Sequence, residues 1–109
     1  MDTRIIDSAI WKRDRCTCRY CGLCGLDNFD VWMQLGIDHI IPRSRGGDES
    51  DENKALACNE CNYYLKRAYI PNGIDREERI ADAARHIQTK RDAWRERFEE
   101  MMKEIKNSN

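Results

Sequence analysis

The chain has 109 residues, which is the size of one small domain with a single modest core. It is strongly polar, with 36% charged residues and a mean hydropathy of −0.86. This composition excludes a transmembrane span, and the N-terminus lacks the apolar run of a secretory signal, so we expect a soluble, cytoplasmic protein. The net charge of −1 is far from the basic balance of a dedicated nucleic-acid-binding protein, so any such contact depends on local basic patches.

The N-terminal part of the chain predicts short elements separated by turns. Residues 3–14 place apolar side chains at helical spacing, with Asp2 or Thr3 as the N-cap. The Cys- and Gly-rich segment that follows predicts a knuckle and a loop. Residues 31–33 and 37–41 then predict two short strands.

The remainder of the chain predicts helices on either side of a break. Residues 53–67 have helical propensity, and the Pro-Asn-Gly sequence at 71–73 is a strong helix breaker. Asp75 and Glu78 then form a capping-box pattern, which predicts one long helix that runs to about Lys106 without Gly or Pro.

The apolar positions of this long helix follow an a/d heptad pattern in which Arg91 is the single polar break. They are Ile80, Ala84, Ile87, Trp94, Phe98, Met101 and Ile105. A helix of this length measures about 45 Å, so its stripe either folds back on the preceding residues or forms the seam of a homodimer. We therefore divide the chain into a compact domain at residues 1–73 and a long amphipathic helix at residues 74–109, which serves packing or dimerisation.

Four cysteines form two C-x-x-C pairs, which are Cys18 with Cys21 and Cys58 with Cys61. Cysteines in an intracellular chain indicate metal rather than disulfides, and two such pairs supply a closed tetrahedral site for zinc. Because all four ligands are thiolates and no coordination position stays open, we predict a structural zinc ion. A redox dithiol is the weaker alternative, since it needs an exposed thiol of low pKa.

Two further cysteines complicate the choice of ligands, because Cys24 also stands three residues after Cys21. We prefer Cys18 and Cys21 as the pair, since Gly22 suits the tight turn of a knuckle. Cys16 and Cys24 are then expected to bind nothing.

The stretch between the two pairs contains the sequence Asp-His-Ile-Ile-Pro-Arg-Ser-Arg-Gly-Gly, which starts at Asp38. Arg13-Asp14 precedes the first pair, and Asn53 and Asn62 flank the second. In this ordered set of motifs the chain resembles the HNH endonucleases over about residues 4–67. The long helix lies outside the resemblance.

The resemblance implies an α+β chain built on a small ββα-metal domain, with an N-terminal helix and a long C-terminal helix added to it. It implies that Asp38 is a ligand of a catalytic divalent cation and that His39 is the general base. Asn53 corresponds to the residue that braces the loop and the histidine, and Asn62 to the last metal ligand. An Asn at that last position makes this chain an H-N-N variant of the family.

The chemistry agrees with these roles. Imidazole, with an ordinary pKa of about 6.5, suits the deprotonation of a water molecule near neutral pH. The hard oxygen donors of Asp38 and Asn62 favour Mg²⁺ or Mn²⁺ over zinc. One geometric difficulty is that alternation along a strand sends the adjacent Asp38 and His39 to opposite faces, so the strand must end or twist there.

Basic residues near this stretch are candidates for phosphate contacts with DNA. They are Arg43, Arg45, Lys54, Lys66 and Arg67. Taken together, these features predict a metal-dependent DNA endonuclease or nickase with little sequence preference, because no separate DNA-reading module fits into the chain. The alternative is a catalytically silent, zinc-stapled nucleic-acid-binding module.

Overall fold

The computed structural model describes residues 8–108. The predicted N-terminal helix is present in this part of the chain as α1, Ser8–Arg13. Its expected cap at Asp2 or Thr3 lies outside the described residues.

The centre of the fold is an antiparallel pair of strands, β1 (Leu35–His39) and β2 (Lys54–Cys58). The register runs from Leu35 opposite Cys58 to His39 opposite Lys54. The helix predicted at 53–67 is therefore wrong in its first part. Ala55 to Cys58 are all buried, and burial in the sheet outweighs the helical propensity of this segment.

The strand predicted at 31–33 is also wrong, because Val31 and Trp32 belong to a short helix, α2, Phe29–Trp32, and Met33 is its C-cap. Asn28 caps this helix, since its side-chain oxygen accepts a hydrogen bond of 3.1 Å from the amide of Val31. A favourable N-cap thus overrides the strand preference of a short apolar run.

The outer edge of β2 is covered by the segment that follows α1. The carboxylate of Asp14 accepts a hydrogen bond of 2.9 Å from the amide of Leu56, and the amide of Arg19 donates to the carbonyl of Leu56 at 2.9 Å. Arg13 holds the same carboxylate and also donates to the carbonyl of Lys54. The Arg13-Asp14 motif therefore closes an edge that would otherwise leave backbone groups unpaired.

After β2 the chain forms a π-helix, Glu60–Lys66, and then the long helix α3, Arg76–Asn107. Asp75 caps α3, because its carboxylate accepts a hydrogen bond of 2.8 Å from the amide of Glu78. The predicted long C-terminal helix and its cap are confirmed. Together with the two-stranded sheet, this helix confirms the α+β class.

The two halves of α3 have different environments. Ile80, Ala83 and Ile87 join the core cluster around the sheet and are almost fully buried. Beyond Arg91 the side chains of the heptad stripe are exposed. The first half therefore folds back on the compact part of the chain, whereas a division of the chain after residue 73 stays a prediction.

No helix within residues 8–108 is both long and apolar enough to cross a membrane.

Candidate metal centre and active site

The four predicted zinc ligands come together. The sulfur atoms of Cys18, Cys21, Cys58 and Cys61 all lie within 4.8 Å of one another, and those of Cys21 and Cys58 are 3.8 Å apart. Four sulfurs at the corners of a tetrahedron, each about 2.3 Å from a central zinc ion, are separated by about 3.8 Å. The cluster is therefore compatible with a structural zinc ion.

The local backbone explains why these thiols converge. The first pair lies on a tight turn in which the amide of Gly22, at φ = +81°, donates to the carbonyl of Cys18 at 2.9 Å. A positive φ is easy only for glycine. Cys58 ends β2 and Cys61 lies in the π-helix, so the cluster ties the knuckle to the sheet.

The four thiols strongly shift the pKa values of one another. Hydrogen bonds with Cys18, Cys21 and Cys58 raise the pKa of the Cys61 thiol. A hydrogen bond with Cys18 also raises the pKa of Cys21, but those with Cys58 and Cys61 outweigh it, and the pKa falls to about 7. Four thiols this close cannot all ionise unless a cation shares the site, which is the behaviour expected of a zinc centre.

Cys24 is exposed and Cys16 is half-buried, and neither belongs to the cluster. The choice of Cys18 and Cys21 as the first pair therefore agrees with the geometry.

Arg91, the polar break in the apolar stripe of α3, contacts the metal centre. Its guanidinium donates to the sulfur of Cys61 at 3.5 Å and to the carboxylate of Glu60 at 3.1 Å. A tetrathiolate with zinc has excess negative charge, which a neighbouring cation offsets. Sequence reasoning placed Arg91 on the stripe but missed this contact, which depends on the path of α3 past the cysteines.

The second site lies at the end of β1. Asp38, His39 and Asn62 line one cavity of about 480 Å³. His39 is the last residue of this strand and is paired with Lys54, yet it and the adjacent Asp38 both line the cavity at the strand end. The remaining lining residues are Ile37, Pro42, Arg43, Glu49, Lys54, Tyr63 and Arg67.

Asp38 is held by two buried partners. The hydroxyl of Tyr20 donates to Asp38 Oδ2 at 2.6 Å, and Lys66 Nζ lies 3.2 Å from the same oxygen. Burial raises the pKa of the Asp38 carboxyl, while Lys66 and Tyr20 lower it. Since both partners bind Oδ2, Oδ1 is the oxygen that would face a cation.

The burial of Lys66 corrects its predicted role. Its side chain is fully buried, and Nζ donates to the carbonyl of His39 at 3.1 Å in addition to pairing with Asp38. A buried ammonium committed to a carboxylate is not available to a DNA phosphate, so Lys66 is not a phosphate contact. No local pattern in the sequence pointed to this pairing, because Asp38 and Lys66 lie far apart along the chain.

His39 has a carboxylate partner that the sequence analysis missed. His39 Nε2 lies 3.1 Å from Glu49 Oε2, and the other oxygen of Glu49 lies 3.1 Å from the Arg43 guanidinium. The hydrogen bond with His39 lowers the pKa of Glu49. Glu49 belongs to an acidic run in the loop after Gly47, and the run alone did not single it out.

Asn53 braces the loop between the strands. Its amide nitrogen donates to the carbonyls of Ile41 and Asp48 at 3.0 and 2.9 Å, and its oxygen accepts from the amide of Ile41 at 2.9 Å. The backbone of Gly47 passes so close that a Cβ there would lie 1.7 Å from the carbonyl oxygen of Ile41. The loop that contains Glu49 is therefore fixed on both sides.

Comparison with protein families agrees with this geometry. The family model described as HNH endonuclease matches residues 18–65, which include both cysteine pairs, Asp38, His39, Asn53 and Asn62. The chain contains an HNH endonuclease domain. Among curated proteins and among solved structures, none matches the chain significantly. This part of the chain is therefore similar to a family of nucleases.

Asn62 is oriented within the HNH domain so that its oxygen suits a cation. Its amide nitrogen donates to the carbonyl of Ile37 at 3.4 Å, which leaves Oδ1 as the atom for coordination. Asp38 and Asn62 line the same cavity, and carboxylate and amide oxygens are donors that Mg²⁺ and Mn²⁺ prefer. The residues present fit such an ion.

The basic residues of the HNH domain divide into three groups. Arg43, Lys54 and Arg67 line the cavity. Arg45 is exposed, but it is not among the residues that line the cavity. Lys66 is buried, as described above. A phosphate at the cavity would therefore meet three cations and the exposed ring of Tyr63.

Proposed function

We propose that the HNH domain is a metal-dependent DNA endonuclease or nickase that cuts phosphodiester bonds with little sequence preference. The observation that supports this most strongly is the convergence of Asp38, His39 and Asn62 on one cavity rimmed by basic side chains. A site with a base, two hard oxygen donors and cations for phosphate contains the groups that phosphodiester hydrolysis needs.

In this proposal His39 is the general base. Glu49 accepts the Nε2–H bond, which fixes the tautomer, so Nδ1 takes the proton from the attacking water. The negative carboxylate also stabilises the imidazolium that forms. Asn53 acts through this loop as a positioning residue, because it holds the segment on which Glu49 lies.

Asp38 and Asn62 would hold one Mg²⁺ or Mn²⁺ ion. When bound, such an ion supplies positive charge to a phosphate oxygen and to the leaving alkoxide. Tyr20 and Lys66 keep the Asp38 carboxylate in place through Oδ2. Arg43, Lys54 and Arg67 would contact DNA phosphates, which position the substrate without reading its sequence.

The cysteine cluster is proposed to hold structural zinc. Cys18 and Cys21 lie on the knuckle. Cys58 is the last residue of the strand whose other end pairs with His39, and Cys61 follows in the π-helix. Zinc here would stabilise the sheet that positions the base and would leave no coordination position open for substrate.

Nicking of supercoiled plasmid by the purified chain, with Mg²⁺ or Mn²⁺, tests the proposal. We expect activity that EDTA stops and that His39→Ala lowers by a factor on the order of 10²–10⁴, the usual loss on removal of a general base. His86→Ala is the matched control, because His86 lies on α3 and stacks on Tyr69 at 3.8 Å, outside the cavity.

Near-wild-type nicking by His39→Ala would contradict the role of His39. If the wild-type chain bound plasmid but did not nick it with either metal, the alternative of a silent zinc-stapled binding module would replace the proposal. The cysteine cluster is compatible with both functions.

A further inference from the structure

The second half of α3 presents an apolar stripe to solvent. The exposed fractions are 64% for Trp94, 55% for Phe98, 41% for Met101 and 56% for Ile105. These residues step by four, three and four along one helix face, at d and a positions of a heptad. A contiguous stripe of four large side chains indicates an interaction surface.

The stripe begins where intramolecular packing ends. Ile80 and Ile87, at earlier positions of the same heptad pattern, are buried in the core. Arg91, the next position, is committed to Cys61 and Glu60. The chain thus covers its own stripe up to Arg91 and leaves the rest uncovered.

We propose that a second copy of this chain covers the stripe, with the two α3 helices packed antiparallel. Facing a and d positions pair across such a seam. In the register centred between residues 99 and 100, Trp94 packs on Ile105 of the second copy and Phe98 packs on Met101 of the second copy. The two-fold axis repeats each pair, so all four exposed side chains are buried on both copies.

Flanking charges favour this orientation. Arg97 and Glu104 occupy g positions, and in the antiparallel register Arg97 lies beside Glu104 of the second copy, twice per dimer. Within one chain Arg97 lies 3.8 Å from Glu104, but both side chains are at least half exposed, so this ion pair can exchange for the same pair between two copies. A parallel dimer would instead bring Lys90, at g, next to Arg95 of the other copy, at e, which is repulsive.

A groove beside Trp94 fits the end of the partner helix. It has a volume of about 420 Å³ and is lined by Glu60, Tyr64, Leu65, Arg67, Arg91 and Trp94. Tyr64 is 71% exposed there. In the antiparallel register Ile105 of the second copy lies opposite Trp94, so its last helical turn enters this groove and covers Tyr64 as well.

The arrangement separates the two HNH domains. Ala83, in the buried part of α3, lies between 16 and 17 residues from the two-fold axis, so the two copies of Ala83 are roughly 50 Å apart along the helices. The two active-site cavities therefore lie on separate domains, although Arg67 lines both the cavity and the groove that receives the partner helix. The proposal does not rest on the nuclease function, and its test is the mass of the chain in solution rather than nicking.

Sedimentation equilibrium on the full chain tests whether the dimer forms. We expect a mass of twice 12.9 kDa at micromolar concentration. Phe98→Glu should raise the dissociation constant roughly 100-fold or more, because it places a charge at the centre of the seam. Ala93→Glu is the matched control, since it adds the same charge at an exposed position outside the seam and should leave the mass unchanged.

Charge reversal tests the orientation. Arg97→Glu and Glu104→Arg should each be monomeric alone, because each brings two like-charged pairs together. An equimolar mixture of the two variants should form a heterodimer, since every pair is then opposite in charge. A wild-type chain that stays monomeric up to about 1 mM would overturn the proposal, and so would variants that dimerise alone or fail to combine.

Discussion

Replacing Lys66 by methionine removes the buried ammonium that neutralises Asp38 and keeps a side chain of similar length. Lys66 Nζ lies 3.2 Å from Asp38 Oδ2 and 3.1 Å from the carbonyl oxygen of His39, and its side chain is fully buried. The variant therefore leaves a buried carboxylate without its ion-pair partner. Because the methionine fills most of the space, the decrease in the free energy of unfolding reports the lost charge rather than a new cavity.

The decrease in the free energy of unfolding of Lys66→Met can be given upper and lower bounds. Breaking a buried ion pair from one side costs about 3–5 kcal/mol. Asp38 can escape part of this cost by taking up a proton, and neutralising a carboxyl with an ordinary pKa of about 3.9 costs about 4 kcal/mol at pH 7 and about 1.5 kcal/mol at pH 5. We therefore expect Lys66→Met to lose about 3–4 kcal/mol at pH 7, which lowers Tm by roughly 12–16 °C.

The stability of Lys66→Met should fall as the pH rises. Burial already raises the pKa of Asp38 in the folded chain, and loss of the ammonium raises it further. The folded variant then binds a proton that the unfolded chain releases above its ordinary pKa, so the variant loses stability as pH rises. The deficit relative to wild type should shrink to roughly 1–2 kcal/mol at pH 5.

Urea unfolding of the zinc-loaded chain, without other divalent cations, measures these values at pH 5 and pH 7. Lys90→Met is the control, because Lys90 is exposed on α3 and its loss should cost less than about 0.5 kcal/mol. Adding Asp38→Asn to Lys66→Met should recover about 2 kcal/mol at pH 7, since it removes the unpaired charge. A Lys66→Met deficit below about 0.5 kcal/mol, or one that does not change between the two pH values, would refute the reasoning.

Three further predictions concern the metal sites and the loop. Asn62→Ala should lose nicking activity with every divalent metal. Asn62→His should raise nicking activity with Ni²⁺, Co²⁺ or Zn²⁺ relative to Mg²⁺, because imidazole is a softer donor than an amide oxygen. Full activity of Asn62→Ala in Mg²⁺ would show that Asn62 is not a ligand. Metal analysis should find about one zinc ion per chain that resists mild EDTA. Cys58→Ser should lose the zinc ion and unfold, whereas Cys24→Ser should retain the zinc ion. A folded chain purified without zinc would contradict this assignment. Asn53→Ala should lower the nicking rate with little effect on plasmid binding, because it releases the loop that holds Glu49, and an unchanged rate would remove Asn53 from the mechanism.

Patterns of residues close in sequence were sufficient to predict the metal cluster, the long helix and the type of domain. The paired spacing of Cys18 with Cys21 and of Cys58 with Cys61 identified the metal cluster, because a C-x-x-C turn brings its own two thiols together wherever it occurs. The cap at Asp75 and the long helix after it likewise depend on residues close in sequence. The order of motifs around Asp38 and His39 was enough to indicate the HNH domain.

The tertiary structure decided the features that depend on contacts between distant residues. Residues 54–58 form a strand because the sheet buries all but Lys54, although their composition favours a helix. Lys66 is an ion-pair partner of Asp38 instead of a phosphate contact, since the π-helix turns it inward. Glu49 and Arg91 acquire their partners only when a loop and a helix reach the two sites. A side chain's charge is visible in a sequence, but its partner depends on the path of the whole chain, because desolvation and pairing are determined by neighbours that folding brings together.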